Sequence, residues 1–366
     1  ALRAIRQPQS LSLLVLDRFS NIARGVTPDE LVDETHDWHI TPRGVFQLLD
    51  PSAIITPKEL PLRDSPTMHD VIDGYNVYFG DLHTHTSFSI DCIEREKQSM
   101  DPTMSLRFGR ESARLDFMAL SDHHAPTRDG RHRLSREKWD LTREAVESAT
   151  EPGEFVGVLG YEYRCLRGDT VVLFGDDVSY DTMSDSGIAG IEDLWRSYSE
   201  LDFMTIPHFH NPGSLPDGEW LTPPRETTEP LLEIFSCHGS YERETVTERG
   251  RADVKKCRLD RTGEYFLKEG YRYGFVCNSD GHKGNPGSNG LTAVFARELT
   301  RSAIFDALRK RRAYGTTNAR IRVVFTIDGV LMGSVVSCAK SHTLEIAVAG
   351  DNELKTVDLV HNGSLF

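Results

Sequence analysis

From Tyr78 the texture of the chain changes to short apolar runs, each ending in polar, chemistry-bearing residues: NVYFGDLHTH, LDFMALSDHH, FVGVLGYEY, LDFMTIPHFH, LLEIFSCHG and YGFVCNSDGH. Helix-like stretches such as Arg136 to Ala149 lie between several of them. Short apolar runs alternating with helical patterns predict parallel strands in repeated βα units. In barrels of that kind the functional residues stand at the carboxyl ends of the strands. Here every histidine-rich motif falls at the end of its run, so pattern and chemistry agree.

The 366 residues leave room for a barrel of about 250 residues and an appendage. Thr300 to Arg312 reads as an amphipathic helix, with Thr300 as cap and Ile304, Phe305 and Leu308 on one face. Its basic end, Arg309 to Arg312, suits a helix C-terminus and is read as a solvated face, with Gly315 just beyond. After Asn318 the alternation in IRVVFTIDG, HTLEIAVAG and TVDLVHNG predicts a small β-rich appendage. Before the barrel, Leu11 to Leu16 reads as a buried strand and Thr27-Pro28-Asp29-Glu30 as a helix start. Pro42, Pro51, Pro57, Pro61 and Pro66 then punctuate a loop-rich segment. The expected division is a lead-in over 1–76, a metal-binding barrel over 77–317 and the appendage over 318–366.

A net charge of −14 disfavours nucleic acid and anionic lipid as partners. No apolar run approaches the roughly 20 residues of a membrane span. Cys92, Cys165, Cys237, Cys257, Cys277 and Cys338 are widely spaced with no CxxC pair, which argues for free thiols. That favours the cytoplasm, with an export signal already processed away as the alternative.

His83 and His85 end a strand, where residues i and i+2 face one side and both imidazoles can reach one ion. Asp91 follows after a turn, within reach of a neighbouring ion. His123 lies in SDHH and Glu162 in GYEY; His208 and His210 repeat the i, i+2 spacing, as do Asp280 and His282. Imidazole with carboxylate and without cysteine suits zinc, manganese or iron(II). One such motif is a frequent accident; four strand-end motifs in barrel-like order are not.

Together GDLHTHTSFSID, ALSDHH, GYEY, IPHFH and NSDGH resemble the PHP superfamily, the polymerase and histidinol phosphatase domain. Within it the likeness is greatest to an uncharacterised bacterial family marked by GDLHxHTSxS and a TAVFARELTRSAIFDALRKRRAYGTT-like segment. The resemblance covers roughly residues 76–320. It implies an α/β fold, a distorted (β/α)7 TIM-like barrel with up to three metal ions at its carboxyl face. Carried over by motif, His83, His85, Glu162 and Asp280 hold a first ion. Glu162 bridges to a second with His208, and Asp91, His123 and His282 hold a third. Relatives often carry a histidine shortly after the glutamate motif, where this chain has GDTVV; Asp169, His210 and His238 are the candidates to replace it.

Clustered cations activate water and neutralise an in-line transition state, and no GxSxG elbow, P-loop or GxGxxG offers a rival mechanism. The leading expectation is a phosphoesterase acting on a small anionic substrate, a phosphate mono- or diester. Hydrolysis of an amide, ester or lactone comes second, and a non-enzymatic metal-binding module third. His210 and His238 are candidates to protonate the leaving group. The segment TRDGRHRLSREK places Arg128, Arg131 and Arg133 in a loop that can clamp phosphate oxygens, or simply be solvated. Arg164, two residues beyond Glu162, faces the same side. The oligomeric state is not legible.

Overall fold

The computed structural model describes residues 74–125, 132–165, 168–184, 188–208, 225–243, 262–337, 339, 341–350, 354–362 and 364–365, plus the backbone of three earlier strands. Those three are β1 (Leu11–Asp17), β2 (Trp38–Thr41) and β3 (Gly44–Gln47). There follow β4 (Asn76–Asp81), α1 (Ile90–Glu94), α2 (Pro102–Glu111), β5 (Phe117–Leu120), β6 (His123–His124) and α3 (Arg136–Ala149). Next come β7 (Val156–Cys165), β8 (Gly168–Phe174), α4 (Tyr180–Met183), α5 (Ile191–Ser197), β9 (Phe203–His208), β10 (Leu231–Ser236) and β11 (Gly239–Ser240). The rest are α6 (Gly263–Lys268), β12 (Gly274–Cys277), β13 (Leu291–Ala296), α7 (Arg301–Arg309), β14 (Ala313–Thr316), β15 (Arg322–Ile327), β16 (Val330–Leu331), β17 (Leu344–Ala349), β18 (Leu354–His361) and β19 (Ser364–Leu365).

The main sheet runs in the order β14-β13-β4-β5-β7-β8-β9, with β6 continuing beside β7, and it curls. A second arc, β11-β10-β12, stands in the opening, with β10 against β9 and β12 against β14. At that second seam Gly315 comes so close that a Cβ would lie 2.8 Å from the Cys277 backbone nitrogen, so only glycine fits.

Side chains along the strands alternate between two apolar layers. Met118, Leu120, Leu159, Tyr161, Val172, Phe174 and Phe203 point outward to a layer that includes Leu106 of α2, Trp139 of α3 and Leu194 of α5. Phe117, Ala119, Val156, Val158, Val171, Leu173, Met204 and Ile206 point inward, against Ile304, Phe305 and Leu308 of α7. Helix α7 therefore closes one end of the curled wall. Local signals set its start and that of α3: Thr300 accepts from the Ala303 N–H and Ser135 from the Lys138 N–H.

Two expectations need correcting. The wall is not a uniform βα repeat: β4, β5 and β7 are parallel, as are β10 and β12, but β8, β13 and β14 run antiparallel to their neighbours. Only residues 166–167 separate β7 from β8, too few for a parallel crossover, so the chain turns back as a hairpin. Nor is the basic run after Leu308 a solvated face. Arg309 pairs with Asp202, Arg312 with Asp306 and the Tyr75 hydroxyl, and Arg311 donates to the Gly333 carbonyl.

The three alternating segments after Asn318 are strands β15, β17 and β18. The Leu11–Leu16 run is also a strand, and β1 pairs antiparallel with β18 from Leu11↔His361 to Leu16↔Thr356. The helix start at Thr27 and Pro42, Pro51, Pro57, Pro61 and Pro66 lie outside the described residues. No described helix is long and apolar enough to cross a membrane.

Candidate metal centre

The inward rows that are apolar near α7 turn polar at the other end of the wall. On β7, Val156 and Val158 give way to Glu162 and Arg164; on β9, Met204 and Ile206 lead to His208. On β10, Leu231 leads to Glu233. Strand β8 runs the other way, so Asp169 at its start stands across from Arg164 and from His208. Glu162, Asp169, His208 and Glu233 are all buried.

The HTH and SDGH segments meet here. A parallel bridge joins Thr84 to Gly281, and the Asp280 N–H donates to the His83 carbonyl at 2.9 Å. Asp280 has φ 48°, the left-handed region that aspartate tolerates better than most side chains. Its two carboxylate oxygens meet different partners. Oδ1 lies 3.1 Å from His85 Nε2, 3.5 Å from His83 Nε2 and 3.5 Å from His282 Nδ1. Oδ2 lies 3.2 Å from His208 Nε2 and 3.0 Å from His238 Nε2.

Glu162 divides its oxygens in the same way. Oε1 is 3.6 Å from His83 Nε2, and Oε2 is 2.8 Å from His123 Nε2. Asp91, in the first turn of α1, lies 3.2 Å from His123 Nδ1 and 3.5 Å from His282 Nε2. Ligand atoms of His83, His85 and Asp280 lie within 4.8 Å of one another, as do those of His85, His123 and His282 and those of His208, His238 and Asp280.

Around these groups stand side chains that fix the rings. Glu233 faces His83 Nδ1 at 3.2 Å and His208 Nδ1 at 2.6 Å, and accepts from Asn278 Nδ2 at 2.6 Å. A carboxylate only accepts, so a proton on Nδ1 of each ring is the one Glu233 favours, and Nε2 is the nitrogen that would turn a lone pair to an ion once its own proton is lost. Ser89 Oγ gives its proton to Asp122 at 2.7 Å, so it can only accept from His85 Nδ1 at 3.0 Å. Asp81 accepts from the backbone N–H groups of His83, Ser279 and Gly287, bracing both ligand segments. Burial lifts the Asp81 carboxyl to about 6.

These residues fit divalent cations. His123 Nδ1, Asp91 Oδ1 and Glu162 Oε2 are buried and close to one another's rings or carboxylates, yet none is aligned as a hydrogen bond. Converging, poorly aligned donors and acceptors are what a coordination sphere leaves. The electrostatics agree. Burial lifts the Asp280 carboxyl, but His83, His208, His238 and His85 outweigh it and hold it well below the usual range. Burial likewise opposes the charged His208 ring, which Glu233 and Asp280 nonetheless raise to about 10. His85 goes the other way: burial, His282 and His123 push it well below its ordinary value, leaving a neutral ring able to ligate. Asp280 and His208 are thus held charged by their neighbours while His85 is held neutral, a balance in which a divalent cation would take the place of the ring protons.

The structure thus gathers His83, His85, Asp91, His123, Glu162, His208, Asp280 and His282 into one mouth, with His238 at its rim. Arg164 joins them, 3.4 Å from Asp169. Burial lowers its pKa, but Glu162, Asp169, Asp91 and Asp280 hold it above the ordinary value. Asp169 belongs to none of the ligand groups among the described residues, and burial together with Glu162 lifts its carboxyl to about 6. His210, Arg128 and Arg131 lie outside the described residues. Arg133 is exposed on the approach to α3. Cys92 lies close to Asp91 and His282, but burial, Asp122 and Asp91 push its thiol up, away from the thiolate that ligates.

Glu233 and Asp81 carry roles that the sequence reading overlooked. A lone glutamate inside LLEIFS, a run otherwise apolar or small, was the available signal for Glu233.

A family model described as "Protein of unknown function (DUF3604)" matches residues 268–328. The chain is 24% identical over 384 residues to an uncharacterized protein of Chlamydia pneumoniae, covering 95% of this chain and 61% of that one. An uncharacterized protein of Chlamydia muridarum is 24% identical over 387 residues, covering 95% and 60%. The chain thus spans about 60% of the length of the curated relatives it matches. Among solved structures, it is similar to a two-domain protein from Bacteroides vulgatus containing a predicted PHP-like metal-dependent phosphoesterase, with a TM-score of 0.42 and 15% identity over 78% of this chain and 90% of that one. It is also similar to PsfC from Pseudomonas syringae, with a TM-score of 0.42 and 13% identity over 66% and 91%.

Proposed function

We propose that this chain is a metal-dependent hydrolase that cleaves a small organic phosphate mono- or diester. The observation that carries the reading is the pair of divided carboxylates: Asp280 and Glu162 each turn one oxygen to one set of imidazoles and the other to a second set. In this reading His83, His85, Glu162 and Asp280 hold one divalent ion, zinc, manganese or iron(II). Asp91, His123 and His282 hold a second, which Glu162 links to the first. When bound, such ions supply Lewis acidity, activate water at neutral pH and neutralise charge in an in-line transition state.

The chain's own groups do the rest. Glu233 and Ser89 hold the ring tautomers that face inward. Arg164 stands on the same wall as Glu162 and offers a guanidinium fork suited to phosphate oxygens. That charge favours an anionic ester over a neutral one. The test is elemental analysis of protein purified without chelator, followed by a panel of phosphate mono- and diesters, neutral esters, amides and lactones. Roughly two to three ions per chain and metal-dependent phosphate release are expected. Turnover confined to neutral esters, amides or lactones would move the reading to that class, and a chain that takes up no ion would end it.

Arg164→Gln gives a sharper check on substrate charge. Losing a hydrogen bond to a charged group costs about 1.5–3 kcal/mol, or roughly ten- to hundredfold in kcat/KM. The ion count should not change, because Arg164 contributes no ligand. Wild-type kcat/KM on the best phosphate ester would remove Arg164 from substrate binding.

A further inference from the structure

We infer that Ser89 and Asp122 are positioning residues, which set the ring of His85 and tie it to the segments that carry His123 and Asp91. The inference rests on the metal-dependent reading above, and it concerns two side chains outside every ligand group among the described residues.

Ser89 departs from a local rule. It stands at the N-cap of α1, where a serine hydroxyl ordinarily accepts a backbone N–H of the first turn, yet it makes no such bond. Its oxygen is used elsewhere. It accepts from His85 Nδ1 at 3.0 Å and from the His123 N–H at 3.0 Å, and it donates to Asp122 Oδ1 at 2.7 Å. A hydroxyl has one proton and two lone pairs, so all three are committed. Departures of this kind from local preference gather at functional sites.

Asp122 settles which way the hydroxyl points. Its Oδ1 takes the Thr86 N–H at 2.8 Å, the Ser89 N–H at 3.0 Å and the Ser89 hydroxyl, and its Oδ2 takes the Thr86 hydroxyl at 2.7 Å. Thr86, Ser89 and Asp122 are all buried, which strengthens these bonds. With its proton held by a carboxylate, Ser89 presents only lone pairs to His85. Nδ1 is then a protonated nitrogen, and Nε2, 3.1 Å from Asp280 Oδ1, is the one left for an ion.

The same bonds fix spacing. Asp122 directly precedes His123, and Ser89 stands two residues before Asp91, so one hydroxyl and one carboxylate join three ligand segments. The turn into α1 is closed by the Ser89 N–H on the Thr86 carbonyl at 3.1 Å. Glu233 serves a different pair of rings, His83 and His208, so the two devices can be tested apart.

Wild type, Ser89→Ala and Asp122→Ala are stripped with chelator, and nitrogen-15 spectra of the histidine rings are recorded. The stripped proteins are then titrated with zinc against a chromophoric chelator. In Ser89→Ala the acceptor at Nδ1 is gone, and the His85 proton should move to Nε2, which faces Asp280. In Asp122→Ala the released hydroxyl can donate to Nδ1, with the same result. The ring signals of His83 and His208 should keep their wild-type positions in both. Zinc affinity at the site that uses His85 should fall roughly ten- to hundredfold. Wild-type His85 signals and zinc affinity in a folded variant would overturn the assignment of that residue. A variant that does not fold would make its residue a requirement of the fold instead, and would overturn the assignment too. A wild type that takes up no zinc, manganese or iron(II) ends the metal reading and this inference with it, whereas unaltered rings and affinity in the variants end this inference alone.

Discussion

Asp280→Asn should strip the mouth of at least one ion and reduce kcat/KM by at least about a hundredfold, the upper end of what supporting residues around a metal contribute. Asparagine keeps the shape of the side chain and tolerates the left-handed φ of 48°, so the backbone that joins SDGH to HTH should hold. What is lost is the charge. Asp280 is within 3.5 Å of ring nitrogens on His83, His85, His208, His238 and His282, more imidazoles than Glu162 meets. The change should therefore reach every ion that shares it. The measurement is zinc stoichiometry and chelator competition on the folded variant; wild-type affinity at every site would show that Asp280 is not the hub.

Glu233→Gln should weaken metal binding by roughly ten- to hundredfold without replacing any ligand. The glutamine oxygen can serve one ring, but its amide then presents a donor to the other, so His83 and His208 cannot both keep a proton on Nδ1. One ring must flip or turn its Nε2 proton toward the ions. Glu233→Ala should do more damage, leaving His83, His208 and Asn278 without a buried acceptor. Nitrogen-15 spectra of the histidine rings, read beside the zinc titration, separate a tautomer change from a fold change. Unaltered tautomers and affinity in Glu233→Gln would make Glu233 a bystander.

What was legible in the sequence had local causes. Helix α3 spans Arg136–Ala149, as its apolar spacing predicts, and α7 begins after Thr300 because a hydroxyl there caps the Ala303 N–H. The strand-end histidines meet because each motif follows an apolar run that ends at the same rim. Strand direction was less visible. Every residue of GDTVVLF is buried, and a run buried on both faces has the same pattern whether parallel or antiparallel to its neighbour. The division of ligands was hidden because it depends on which carboxylate oxygen faces which ring, a matter of side-chain placement among segments far apart in sequence. Motif carry-over makes Glu162 the link toward His208; in the structure Glu162 stands beside His83 and His123, and Asp280 stands beside His208. Arg164 and Asp169 meet only through the β7–β8 hairpin, which spacing alone did not announce.

The split along each strand, apolar toward α7 and polar at the rim, bears on how such a protein can change over generations. Folding depends on Val158, Leu173, Ile206 and their contacts with Phe305 and Leu308, while chemistry depends on Glu162, Asp169, His208 and Glu233 one or two inward positions further along. Substitutions at the rim leave the lower layer and its apolar burial untouched, so they bear on the site's charges and hydrogen bonds and not on the apolar packing beneath. A laboratory library at the half-exposed His238 should retain mostly folded members, whereas one of equal size at Val158, Leu173 or Ile206 should not. The molecule is built in storeys, and selection can refurnish the upper one without disturbing the foundations.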